Sequence, residues 1–180
     1  MTPAFRRFRV VLAAVVLLTP ALASAQDSKS AASVTELVKM LDSKKLDSFA
    51  VKGTSPNEYV GALYFPGSQL LVVRAKFDTP WRADSLLEMK NYRDLYIELN
   101  SASLPQSKLF VSDLSANGLH YKKDGNVFDT ADIGGKTFNF DGDWKKAKIT
   151  ETDYSKTYND TDQQYGQMIQ VLLDGLKKSS

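Results

Sequence analysis

The run EYVGALYF-PG-SQLLVVRAKF, residues 58–77, constrains the fold more than any other part of the chain. Two stretches rich in β-branched and aromatic residues flank Pro66-Gly67, a dipeptide suited to a tight turn. An antiparallel hairpin is the expected product. Around that turn pair, Val60, Ala62 and Tyr64 on one side and Leu71, Val73, Ala75 and Phe77 on the other can form its core faces. A short strand over Leu46–Lys52, with Phe49 and Val51 inward, precedes it.

Helices flank these strands. Ser33 and Glu36 have the spacing of a capping box, and Val34, Leu37, Val38 and Leu41 then share one face of a helix over 34–43. Thr79-Pro80 is a helix start, because proline at the first helical position loses no hydrogen bond. That helix runs through SLLEMK to about Asn91. The following stretch, KNYRDLYIELNSAS, has two periods. Alternation favours a strand over Asp94–Leu99, although Leu86, Met89, Tyr92, Tyr96 and Leu99 are also helix-spaced.

Turn residues then punctuate the chain at Ala116-Asn117-Gly118, Asp124-Gly125-Asn126, Gly134-Gly135 and Asp141-Gly142-Asp143. Between them LFVSDL, LHYKK, VFDTADI and KTFNF read as short antiparallel strands. The last segment is a long helix capped by Thr150 with Asp153 three residues on, and with Ile149 and Tyr154 placed as a hydrophobic staple. Its apolar stripe is Tyr154, Tyr158, Tyr165, Met168, Ile169, Leu172 and Leu176. The stripe is wide enough to cover a sheet, which is the expected packing, and it also offers a face for a homodimer. The element order predicts an α+β fold: an antiparallel sheet or a partly closed (split) β-barrel, with a short N-terminal helix, a mid-chain helix and a long C-terminal helix.

Residues 1–25 have the pattern of a cleaved signal peptide: Arg6, Arg7 and Arg9, an apolar run from Val10 to Leu18, then Ala23-Ser24-Ala25. The apolar run is too short for a membrane span, which takes about 20 residues. Residues 26–32 read as a flexible tether and 33–180 as one α+β domain. Cleavage after Ala25 removes three arginines and no acids, so the formal +2 of the full chain becomes −1. A near-neutral exported chain argues against nucleic acid and anionic lipid as partners. The chain has no cysteine, which excludes disulfides, a lipoprotein anchor and thiolate chemistry.

Few residues point to chemistry. His120 is the single histidine and sits just after a turn, with no second histidine or cysteine to complete a usual zinc set. Asp124, Asn126, Asp129, Asp132, Asp141 and Asp143 crowd one region without EF-hand spacing and read as turn residues. Arg93 and Asp94 remain. Arg93 lies on the face that becomes apolar at Leu95, where an arginine pairs with an acid such as Glu88 or Asp94. Alternatively it holds a ligand carboxylate or phosphate beside a cleft walled by Trp81 or Tyr96.

The order of elements from Tyr59 to Asn100 (hairpin, the helix SLLEMK, the strand DLYIEL) resembles the core of FMN-binding split-barrel proteins, the pyridoxamine phosphate oxidase-like family. The resemblance is one of order and implies a split barrel holding FMN. The basic residues nearby are Arg74, Lys76 and Lys90, in place of the family's Arg/Lys and Ser/Thr phosphate-binding pattern. The sequence as a whole implies a periplasmic or secreted bacterial protein, a non-catalytic binding or accessory module for a small molecule or an envelope protein. A flavin- or other small-ligand-binding split barrel is the alternative.

Overall fold

The hairpin forms around Pro66-Gly67 with one residue more in its loop than the dipeptide suggests. Strand β2 (Glu58–Phe65) pairs antiparallel with β3 (Gln69–Phe77) from Phe65 opposite Gln69, so the loop is Pro66-Gly67-Ser68. The Ser68 amide donates to the Phe65 carbonyl at 2.9 Å. Gly67 adopts φ 70°, open to a residue without Cβ. The extra residue shifts the pairing by one, and such a shift exchanges faces. Val60, Ala62 and Tyr64 therefore pack with Leu70 and Val72. Leu71, Val73, Ala75 and Phe77 lie on the opposite face with Tyr59 and Leu63, which corrects any pairing built on a two-residue turn. Both strands are apolar at nearly every position, as fits burial on two faces.

The computed structural model describes residues 28–79, 97 and 105–179. Among them six strands form one antiparallel sheet in sequence order: β1 (Ser48–Lys52), β2, β3, β4 (Pro105–Leu114), β5 (Asp129–Ile133) and β6 (Lys136–Phe140). β1 and β6 are its edges and do not pair with each other, so the sheet is open and not closed into a barrel. Two helices, α1 (Ala31–Lys44) and α2 (Glu151–Lys178), pack together on the face carrying Val60, Val72 and Val111. The fold is α+β. No helix among the described residues is long and apolar enough to cross a membrane.

Helix α2 follows its sequence pattern. The Asp153 amide donates to Thr150 Oγ1 at 3.1 Å, and Thr150 Oγ1 donates to the Asp153 carboxylate at 2.7 Å. All seven predicted stripe residues are buried against the sheet and α1, together with Leu173. Each contributes roughly 2 kcal/mol, so packing stabilises the helix more than intrinsic propensity does. The stripe is thus filled within the chain.

Helix α1 begins earlier than its capping-box pattern indicates. Its N-cap is Ser30, with Ser33 inside the first turn, and Glu36 pairs with Lys177 at 2.9 Å. From Ser28 onward the lead-in expected to be a loose tether is held by α2. LHYKK is the other departure, because Leu119–Lys123 is not a strand. Its backbone groups are taken by side chains: the Leu119 carbonyl accepts from Tyr158 Oη at 2.7 Å, and the His120 amide donates to Asp129 at 2.7 Å. The predicted mid-chain helix and most of the strand over Asp94–Leu99 lie outside the described residues. Ile97, the one described residue there, is helical and exposed, against the strand assigned to it and in keeping with the helix spacing.

Two glycines of α2 face different surroundings. A Cβ at Gly175 would lie 2.4 Å from Val51 Cγ1 and 3.3 Å from the Phe49 ring, so the missing side chain lets β1 approach the helix. At Gly166 the nearest atom would be 3.8 Å away, an ordinary contact. Gly175→Ala should destabilise the protein by about 1–3 kcal/mol, since β-branched Val51 has few rotamers to retreat into. Gly166→Ala should stabilise it by up to about 1 kcal/mol through helix propensity. Urea unfolding of the two variants checks the opposite signs, and equal effects would refute this account of the β1–α2 contact.

Candidate functional site

The four residues singled out by sequence, Trp81, Arg93, Asp94 and Tyr96, lie outside the described residues. The described residues offer two other polar constellations. One is an open cleft and the other a buried cluster of acids.

The cleft follows from register. Arg74 is the cross-strand partner of Val60, and side chains alternate along a strand, so Arg74 projects to the same face as Leu70 and Val72. A charged residue thereby falls on a core-facing position at the margin of α2. The cleft between the hairpin and α2 has a volume of about 460 Å³, within the range of small-molecule sites. Glu58, Val60 and Arg74 line it from the sheet, and Thr54 from the loop between β1 and β2. From α2 come Gln167, Met168, Gln170, Val171 and Asp174, the flank beside the buried stripe. Val60 and Met168 are buried and make an apolar floor, and the exposed Gln167, Gln170 and Asp174 make a polar rim.

The charges in this cleft do not neutralise one another. The half-buried Arg74 guanidinium donates to the Gln164 side-chain carbonyl, and among the described residues no carboxylate pairs with it. Asp174 accepts from Gln170 Nε2 at 2.8 Å and makes no salt bridge among the described residues, although its charge is felt by Lys177, whose ammonium is bound to Glu36. The Glu58 side chain lies over Gly53, where a Cβ would sit 2.3 Å from Glu58 Oε1. An arginine whose one hydrogen bond among the described residues is to Gln164, beside an apolar floor, has the fork geometry to clamp a planar anion through two parallel hydrogen bonds. The sequence carried a signal for it: Arg74 interrupts the apolar run LLVV-R-A. Its inward orientation became evident only with the three-residue loop.

The second constellation is interior. Asp113, Asp129 and Asp162 are 0%, 1% and 1% exposed, and come from the end of β4, the start of β5 and the middle of α2. Asp113 accepts from the Asn117 amide at 3.1 Å, the Gly118 amide at 2.8 Å and Tyr165 Oη at 3.0 Å. Asp129 accepts from the Leu114 amide at 2.7 Å, from the His120 amide, and lies 3.2 Å from His120 Nδ1. Asp162 accepts from the amides of Lys29 at 2.6 Å and Ser30 at 3.2 Å, and from the hydroxyls of Ser30 at 2.6 Å and Ser28 at 3.2 Å. Gly118 adopts φ 101° and abuts α1, where a Cβ would lie 2.7 Å from Ala31 Cα. The acids thus replace strand pairing for the 114–120 loop and act as a cap for α1.

Burial, then the neighbouring Asp129 carboxylate, pushes the Asp113 pKa up to about 6. Burial also raises Asp129, against the opposing hydrogen bonds from His120 and Leu114. Burial, then the Asp113 carboxylate, lifts the Tyr165 phenol well above its usual range. No group of three or more histidine, cysteine, aspartate or glutamate side chains among the described residues is arranged to hold a metal ion. The two predicted readings of this region are thereby refined: Asp129 is a buried acceptor for the loop and not a turn residue, and His120 is its neighbour.

Comparison with family models, with curated proteins and with solved structures finds no match for the chain.

Proposed function

We propose that the protein is an exported, non-catalytic binding module that holds a small molecule in the cleft between α2 and the β2–β3 hairpin. The observation that carries this reading is the Arg74 guanidinium, on a core-facing position and with no ion pair among the described residues in a cleft that also holds carboxylates. A purely structural arginine at a core margin would be expected to pair with one of those acids. The acid with the most altered titration, Asp113, is away from the cleft and has its oxygens occupied by three donors, which supports binding over acid–base catalysis. The signal-like residues 1–25 support a periplasmic or extracellular location, and the formal charge of −1 after their removal supports a partner other than nucleic acid.

The test is a titration of the purified protein with a panel of small anions, cations, zwitterions and neutral solutes, observed at the methyl groups of Val60, Met168 and Val171. Saturable shifts are expected for at least one charged class and are lost in Arg74→Ala. A panel that moves none of these methyls overturns the proposal.

A flavin mononucleotide reading has one observation in its favour, the location of Arg74 in the cleft. Glu58 and Asp174 beside it would repel a phosphate dianion, so the cleft fits that group poorly. A flavin band in the absorbance spectrum of the purified protein would reverse this ranking.

A further inference from the structure

Resting on that cleft reading, we infer that the ligand is a small zwitterion, an apolar amino acid or short peptide, whose carboxylate is held by Arg74 and whose ammonium is held by Glu58 and Asp174. Three features of the cleft carry the inference. The first is the guanidinium, which among the described residues uses one donor, to Gln164, and is the group best matched to a carboxylate. The second is the pair of acids on the same cleft that make no salt bridge among the described residues, one from β2 and one from α2, so that the negative groups come from both walls. The third is the floor of Val60, Met168 and Val171, which offers an apolar side chain contact and no hydrogen-bonding partner.

The separation of the charges is itself informative. An arginine and two carboxylates share one cleft, yet no ion pair joins them among the described residues. A molecule carrying one charge of each sign, inserted between them, satisfies both at once. A simple anion would gain Arg74 and be repelled by Glu58 and Asp174, and a simple cation would meet the reverse. Selectivity for the zwitterion therefore comes from repulsion of single-charge competitors as well as from attraction.

Titration calorimetry with leucyl-leucine, N-acetyl-leucyl-leucine, leucyl-leucine amide and free leucine tests the inference. Leucyl-leucine or free leucine should bind, and the tighter of the two identifies peptide or amino acid as the source. Blocking either end should weaken binding of the dipeptide about tenfold or more, the usual consequence of losing a charged hydrogen bond. Arg74→Gln should remove the preference for the free carboxylate, and Asp174→Asn, an exposed substitution that leaves the core intact, should reduce the preference for the free amine. Equal affinity for the acetylated and free dipeptides would overturn the zwitterion while leaving an anion-binding cleft. Equal affinity for the amide would overturn the role of Arg74. No heat from either leucine or leucyl-leucine, with cleft methyl shifts from another solute, would overturn this ligand class alone, and absence of both would overturn the cleft as well.

Discussion

Asp162→Ala should lower the free energy of unfolding by about 3–4 kcal/mol, among the larger losses a single substitution causes. The carboxylate is 1% exposed and accepts from two backbone amides and two serine hydroxyls at the entry to α1. Hydroxyls can turn to new partners, but the amides of Lys29 and Ser30 would be left without one, at about 1–3 kcal/mol for each that stays dry. The negative charge is also lost from the helix N-terminus, where it is favourable. Asp162→Asn keeps one carbonyl oxygen but points an amide donor at other donors, so it should recover only part of the loss. Urea unfolding of both variants, with amide exchange across residues 31–37, gives the readout. A loss below about 1 kcal/mol for Asp162→Ala, or unchanged exchange in α1, would show that α1 does not depend on this contact.

Stability should also fall as the pH rises from acid to neutral. Asp113 has a pKa near 3.8 in an unfolded chain and about 6 in the fold. The folded state then binds the proton more tightly than the unfolded state, so between those values stability decreases with increasing pH. The contribution is fully present below pH 3.8 and is lost above about pH 6, a difference of about 3 kcal/mol. Burial acts in the same direction on Asp129. Unfolding midpoints in urea should therefore be higher at pH 4.5 than at pH 7.5, contrary to the usual acid sensitivity of proteins whose carboxylates are stabilised as anions. Asp113→Asn should flatten the profile whatever it does to absolute stability. A wild-type curve that rises toward neutral pH, or a variant curve with unchanged slope, would contradict this view of the buried acids.

The sequence was most informative where local chemistry and packing agree. Thr150 and Asp153 cap α2 as their spacing indicates, and every stripe residue from Tyr154 to Leu176 is buried, because a helix with one apolar face has one way to hide it. The hairpin was legible for the same reason, although its faces were not. A dipeptide such as Pro66-Gly67 marks a turn without stating whether Ser68 belongs to the loop, and one residue decides which side chains share a face. The start of α1 was misplaced because Ser30 and Ser33 are both serines in front of an apolar run. Asp162, 132 residues away, selects Ser30.

The sequence by itself determined the hairpin and the two helices among the described residues, the antiparallel order of the strands, the single amphipathic face of α2 and the absence of cysteine chemistry. Those properties depend on periodicity, turn residues and composition, all local. Only the tertiary structure decided that the sheet stays open, that LHYKK becomes a loop held by buried carboxylates, and that Arg74 faces a cleft with Glu58 and Asp174. These outcomes depend on which distant groups meet. A buried acid such as Asp113 or Asp162 resembles a surface residue in sequence until the amides that satisfy it are brought to it. The same holds for the cleft: its charges come from β2, β3 and α2, and their shared chemistry exists only once strand register and the path of α2 have placed them side by side.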